Sequence, residues 1–228
     1  MPQPIFITGI GTGVGKTLIS AIITEALQAD YWKPIQAGYD DGTDSEFVKS
    51  LLSNTQSTIF PETYKLSLPA SPHIAAREEN VRISLDKLVA NFHHIQQTSK
   101  ADYLVIEGAG GLLVPLNDND FVVDLVRRLD ACAVIVSRNY LGSINHSLLT
   151  SQACKQNNLK VLGWVFNDQY LNYQQEIVDW SGYPQLCSVP FITDISKDGI
   201  LQHSTLVKQN IINRMNSYNE QATTKENI

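Results

Sequence analysis

Apolar residues collect in short runs spaced along the chain, at positions 5–8, 31–33, 103–107, 131–136, 161–166 and, more weakly, 185–189. Within each run they are near-continuous and do not alternate with polar ones, as a strand covered on both faces requires. Between the runs the repeat changes. Leu85, Leu88, Val89, Phe92 and Ile95 recur at i, i+3, i+4, i+7 and i+10 behind Ser84, a favourable N-cap. Residues 18–27, 121–129 and 145–157 also carry a helical pattern, with a terminal helix at 206–215. Strands alternating with helices predict an α/β fold, a three-layer, mostly parallel sheet covered by helices on both faces. Ligands of such sheets bind at the carboxyl ends of strands, so those ends hold the candidate chemistry.

Two stretches break the alternation. Residues 40–44 form a polar loop, and residues 60–80 form a long connection bearing Pro61, Pro69 and Pro72. Long connections without structure of their own are often functional, although a plain surface loop fits residues 60–80 equally well. The chain turns polar after Met215. The expected organisation is one α/β domain over residues 1–216 and a frayed polar tail over 217–228.

Composition narrows the function classes. A chain of 228 residues, 43% hydrophobic, suits a single domain with a sizeable core. Its net charge of −6 and lack of a basic stripe argue against nucleic acid or an anionic membrane as partner. No apolar stretch approaches the roughly 18 residues of a membrane span, so a cytoplasmic protein is expected. Cys132, Cys154 and Cys187 form no C-x-x-C pair, and a disulfide framework or cysteine metal site is not expected.

The first apolar run leads into Gly11-Thr12-Gly13-Val14-Gly15-Lys16-Thr17, and a helical pattern opens at Leu18. Strand, glycine-rich loop and helix in that order let backbone N–H groups and a helix N-terminus wrap a polyphosphate. The fold is therefore expected to be of the P-loop NTPase type. Thr12, Gly13, Val14, Gly15, Lys16, Thr17 and Leu18 are the candidate nucleotide loop, with Lys16 on the β- and γ-phosphates and the Thr17 hydroxyl on Mg²⁺. One position departs from the strict motif: Ile10 stands where glycine is usual.

Other candidates lie at predicted strand ends. Glu107 closes an apolar run and precedes Gly108, Ala109 and Gly110, where an NTPase places a carboxylate near its Mg²⁺. Asp44 has two readings, an acid in a capping box over Thr43-Asp44-Ser45-Glu46 or a second metal carboxylate. Lys33, held extended by Pro34, is a charge stabiliser or a solvated strand-end lysine. Asn167 and Asp168 can read a base edge or form a turn. Gly142, Ser143 and Asn145 surround a helix start that can hold a carboxylate. Lone His73 and His146 read as structural.

Taken together, these segments resemble the dethiobiotin synthetase family. The resemblance rests on the nucleotide loop, Lys33-Pro34-Ile35-Gln36-Ala37-Gly38, Asp44, Ser71-Pro72-His73-Ile74, Glu107-Gly108-Ala109-Gly110-Gly111, Gly142-Ser143-Ile144-Asn145-His146, Gly163 to Asp168, and Val189-Pro190-Phe191. It implies an ATP- and Mg²⁺-dependent ligase that closes 7,8-diaminopelargonate and carbon dioxide into dethiobiotin. It further implies that Thr17, Asp44 and Glu107 hold the metal and that Lys16 and Lys33 are catalytic. Asn167, Asp168, Val189, Pro190 and Phe191 would meet the base. Lys33, Ala37, Gly142, Ser143 and Asn145 would meet the substrate, the last three across a homodimer interface. Ala37 departs from the serine or threonine often found there. The rival classes are weaker. A ParA/MinD-like switch places a lysine where Gly11 stands, and a cobyrinate-type amidotransferase needs a glutaminase domain.

Overall fold

A computed structural model describes all residues except 169, 193, 194, 227 and 228, and only the backbone of 219 and 221–226. The elements run β1 (Gln3–Gly9), α1 (Lys16–Leu27), β2 (Asp30–Trp32), β3 (Ile35–Ala37), α2 (Asp44–Leu51), β4 (Ile59–Phe60) and β5 (Tyr64–Leu66). They continue as α3 (Pro72–Glu78), α4 (Leu85–Thr98), β6 (Tyr103–Gly111), α5 (Val122–Arg128), β7 (Cys132–Arg138) and α6 (Ser143–Gln156). The chain closes with β8 (Val161–Asn167), α7 (Gln174–Ser181), β9 (Gln185–Val189) and α8 (Lys197–Glu226).

Seven strands form one sheet in the order β4-β2-β6-β1-β7-β8-β9. Every pairing in it is parallel. The apolar runs explain this. Ile5, Ile7, Leu104, Ile106, Val134, Val136, Val165 and their neighbours are buried whichever face they point to. Trp32, Trp164, Phe6 and Phe166 are the bulkiest fully buried side chains, together with Tyr31. Burying a large apolar side chain stabilises the fold by about 1.5–3 kcal/mol. Helix α1 packs against α2 and α8, while α4 packs on α5 and α6 on α7. The three-layer α/β expectation is met.

Several elements differ from the periodicity. Residues 60–80 carry their own structure: β5 pairs in parallel with β3 in a separate two-stranded sheet, and Pro72 opens α3 at a helix start that tolerates proline. Strands of three residues are too short to show a period. The glycine run after Glu107 is strand, since β6 continues to Gly111. Gly108 is demanded by packing, because a Cβ there would lie 2.7 Å from Phe6 Cε1. Helix α7 carries no repeat that the sequence reading found.

The terminal helix is longer at both ends than 206–215. Ile200, Val207, Ile211 and Met215 bury one stripe of α8, and the Tyr218 hydroxyl donates to the Val161 carbonyl at 2.8 Å. The backbone is helical to Glu226. Extending an existing helix costs little compared with nucleating one. Cys132, Cys154 and Cys187 are free and buried, and burial pushes the thiols of Cys154 and Cys187 up to about 12.

Candidate functional site

The nucleotide loop leaves β1 at Gly9 and is anchored at once, where the Ile10 N–H donates to the Val136 carbonyl at 3.1 Å. Ile10 is buried in the core and is not among the residues with positive φ. The position therefore accepts a side chain, which accounts for the departure from the usual glycine. Gly15 caps α1 at φ 91° and offers no side chain to the first-turn N–H groups. Those donors are left without a side-chain cap and are open to an anion. An added Cβ on Gly15 would lie 2.0 Å from Asn167 Nδ2. Lys16 is buried and donates from Nζ to the Gly11 carbonyl at 3.0 Å. Burial, reinforced by the positive charge of Lys33, pushes its pKa down to about 8.

Beside this loop the structure gathers side chains from three distant segments. The Thr17 hydroxyl lies 3.0 Å from Asp44 Oδ1 and 2.9 Å from Glu107 Oε1. Lys33 Nζ contacts Asp44 Oδ2 at 2.5 Å and donates to Glu107 Oε1 at 3.0 Å. The Tyr31 hydroxyl donates to Glu107 Oε2 at 2.9 Å. Burial alone would lower the Lys33 pKa, but Glu107 and Asp44 outweigh it and raise the value. Burial raises the Asp44 pKa, yet the Lys33 charge and hydrogen bonds from Lys33 and Thr17 bring it below the usual carboxylate value.

The capping-box reading of Asp44 is met, and the same residue lies beside the Thr17 hydroxyl. Thr43 caps α2 and the Glu46 carboxylate accepts from the Thr43 N–H, so the capping box is complete. The same box turns Asp44 toward Thr17. The two acids and the hydroxyl fit a hard divalent cation, because these donors are all oxygen. The Thr17 hydroxyl has one proton but two carboxylate oxygens within reach, so one contact lacks a hydrogen. A cation among these oxygens would resolve that shortfall. The described residues contain no cluster of three or more His, Cys, Asp or Glu, so the set depends on a hydroxyl and two carboxylates.

These groups line a cavity of about 740 Å³. Its walls also include Thr12, Gly13, Gly15, Ile35, Ala37, Pro69, Pro72, Ala109, Gly110 and Val114. The loop around Pro69, which the sequence left between functional and bland, thus forms one wall. Leu18 and Gly108 are not among the lining residues, although the Gly108 carbonyl accepts from Lys33 at 3.4 Å.

The candidate base-side residues are organised by the loop itself. Asn167 Nδ2 donates to the Val14 carbonyl at 3.0 Å, tying β8 to the nucleotide loop. Asp168 accepts from Arg138 Nε and Nη2 at 3.2 and 3.1 Å, and its N–H donates to the Val189 carbonyl at 2.9 Å. A second cavity of about 420 Å³ joins Gly13 and Val14 to Arg138 and Asp168. Val189 is buried, whereas Phe191 is exposed.

Gly142, Ser143 and Asn145 are not among the residues lining the larger cavity. Gly142 caps α6 at φ 101°. The Ser143 hydroxyl is occupied by the Tyr173 hydroxyl at 2.8 Å and the Tyr140 N–H at 3.3 Å. His73 and His146 are partnered by Ser71 and Tyr140. Two site residues escaped the sequence reading. Tyr31 lies two positions before Lys33, the spacing that puts side chains on one side of an extended chain, although β2 ends at Trp32. Gln36 links the loop to α2, donating to the Gly38 carbonyl at 2.8 Å and accepting from the Asp44 N–H at 3.2 Å. Nothing local in the sequence marks it.

Comparison with known proteins agrees with this geometry. A family model described as an AAA domain matches residues 3–198. ATP-dependent dethiobiotin synthetase BioD of Cytophaga hutchinsonii is 46% identical over 206 residues, 90% of this chain and 97% of that protein. The protein of the same name from Brucella ovis is 40% identical over 90% of this chain and 93% of its own length. Among solved structures, a ParA family ATPase from Chlorobium tepidum superposes with TM-score 0.59 at 15% identity, covering 93% of this chain and 98% of that one. The Mg-ADP complex of MinD from Pyrococcus horikoshii gives 0.59 at 15% identity over 99% of both chains. Such distant likeness shows the fold alone. Sequence identity of this extent decides the rest: the chain belongs to the family of ATP-dependent dethiobiotin synthetases.

Proposed function

We propose that this chain closes a cyclic urea at the expense of ATP, converting 7,8-diaminopelargonate and carbon dioxide to dethiobiotin. The observation that carries the reading is the Lys33 ammonium, 3.0 Å from Glu107 and flanked by Asp44, facing the cavity that also holds Lys16 and Thr17. One amine of the diamine adds to carbon dioxide and loses a proton, giving a carbamate. A carbamate oxygen attacks the γ-phosphorus and ADP leaves. The second amine then attacks the carbamoyl carbon, and phosphate leaves as the ring closes.

The first attack brings anion to anion, so the protein must supply positive charge and alignment. Lys33 stays protonated because its carboxylates hold it so, and it would sit on the carbamate and the transferring phosphoryl group. Lys16 would neutralise the β- and γ-phosphates, while the open N–H groups of the loop hold them. Thr17, Asp44 and Glu107 would hold Mg²⁺, whose charge neutralises the phosphate oxygens when it is bound. The cavity of about 740 Å³ has room for a triphosphate end and a small diamine, with Ile35, Ala37 and Pro69 against the alkyl chain. Ala37 cannot give the hydroxyl contact often found at that position. The base would lie toward Asn167, Asp168 and residues 189–191.

The substrate carboxylate would be met by Gly142, Ser143 and Asn145 of a second copy. Leu113 and Leu149, 63% and 55% exposed, line one shallow cleft, an apolar surface suited to a homodimer. Because the Ser143 hydroxyl is already engaged, the α6 backbone N–H groups are the donors in this reading. No described helix is long and apolar enough to cross a membrane. With a net charge of −6, partners other than small molecules and a second copy form no part of the proposal, and the setting is cytoplasmic.

The test is ADP release with Mg²⁺-ATP and bicarbonate, with and without the diamine. Release that depends on the diamine, with dethiobiotin found by mass spectrometry, is the expected result. Release indifferent to the diamine would sink the substrate assignment.

A further inference from the structure

Glu107 is held by three donors that divide unequally between its two oxygens. Oε1 lies 2.9 Å from the Thr17 hydroxyl and 3.0 Å from Lys33 Nζ. Oε2 accepts from the Tyr31 hydroxyl at 2.9 Å. Tyr31 is completely buried, and its ring sits in the sheet on β2, next to β6. With the ring buried in this way, the hydroxyl oxygen is held beside Oε2.

We infer that Tyr31 is a positioning residue that makes Glu107 a one-oxygen ligand and so tunes the site toward Mg²⁺ over Ca²⁺. The inference rests on the proposed role of Glu107 at the metal. Its physical basis is the difference between the two ions. Mg²⁺ is small, demands near-octahedral geometry and takes single carboxylate oxygens, whereas Ca²⁺ accepts more ligands and commonly binds both oxygens of a carboxylate. With Oε2 committed to Tyr31, only Oε1 is presented to Thr17 and Lys33. The loss of a second oxygen costs Ca²⁺ more than Mg²⁺. Partners that orient metal ligands have measurable effects of this kind. Tyr31→Phe keeps the ring and removes only the hydroxyl that occupies Oε2.

The test is calorimetric titration of Mg²⁺ and of Ca²⁺ into the full chain with a non-hydrolysable ATP analogue. For Tyr31→Phe the Mg²⁺-over-Ca²⁺ affinity ratio is expected to fall roughly tenfold, chiefly through tighter Ca²⁺ binding. para-Aminophenylalanine at position 31 retains an N–H donor and should restore the ratio. An unchanged ratio in Tyr31→Phe, with Mg²⁺ binding intact, overturns the inference alone. Wild-type chain that takes up no Mg²⁺ with the analogue overturns the parent reading as well. Should Tyr31→Phe not fold, infrared difference spectra of the wild type decide the matter. The Glu107 carboxylate bands, isolated by subtracting Glu107→Gln, should keep the wide splitting of one-oxygen ligation with Ca²⁺. A narrow, two-oxygen splitting overturns the inference.

Discussion

Lys33 and Glu107 meet at 3.0 Å with side chains only 5% and 1% exposed, so a full ammonium–carboxylate pair is held out of water on the wall of the cavity of about 740 Å³. A buried pair is costly to form and still more costly to halve, because the survivor is left charged and unpaired. Such a pair is weak evidence for stability and good evidence for a site. Two lysines a short distance apart are pushed in opposite directions. Burial takes Lys16 down to about 8, while Glu107 and Asp44 overcome burial and raise Lys33. Lys33 is thus a permanent cation at working pH, and Lys16 an adjustable one.

Lys33→Ala should bind ATP with an affinity close to wild type yet lose turnover by roughly a hundredfold to a thousandfold, the usual effect of removing one charge stabiliser. Nucleotide binding by calorimetry and diamine-dependent ADP release separate the two. Loss of ATP binding would assign Lys33 to the nucleotide and not to the transferring group.

Gly15→Ala should weaken nucleotide binding by about 5- to 150-fold, since strain of about 1–3 kcal/mol falls on the loop itself. Its Cβ would lie 2.0 Å from Asn167 Nδ2 at a φ of 91°. Gly11→Ala is the control, because a Cβ there meets nothing within 4 Å. Equal binding by the two variants would mean that Asn167 yields freely and the tie from β8 to the loop is unimportant.

Nucleotide affinity should depend on pH through Lys16. Below about 8 its ammonium is already charged before binding. Phosphate raises the pKa in the complex, so binding between about 8 and the higher bound value takes up a proton. Affinity should be level below pH 8 and fall above it, by up to about tenfold per pH unit. Calorimetry at pH 8.5–9 in buffers of different ionisation enthalpy reads the proton uptake directly. Proton release, or no buffer dependence, would contradict the lowered Lys16 value.

Leu113→Asp combined with Leu149→Asp should make the chain monomeric by sedimentation. Diamine-dependent turnover should disappear while ATP-analogue binding persists, because the nucleotide loop is built within one chain. A monomeric variant with full turnover would place the substrate carboxylate within a single copy.

The long core strands, the parallel three-layer fold and the glycine-rich loop between β1 and α1 were legible in the sequence, because each depends on neighbours within a few residues. Continuous apolar runs define strands buried on both faces, and loop chemistry is written in contiguous glycine, lysine and threonine. What the sequence left open was settled by contacts between distant segments. Asp44 is both the first residue of α2, behind the Thr43 cap, and a neighbour of Thr17, a coincidence that exists only after α2 packs beside α1. Residues 60–80 looked structureless because β5 is only three residues long and needs β3 as its partner. Asn167 reaches Val14 across 153 positions of chain, and Tyr31 reaches Glu107 across 76. A local pattern encodes backbone conformation and burial, whereas the number of donors on one carboxylate oxygen depends on which strands lie side by side, and only the folded sheet decides that.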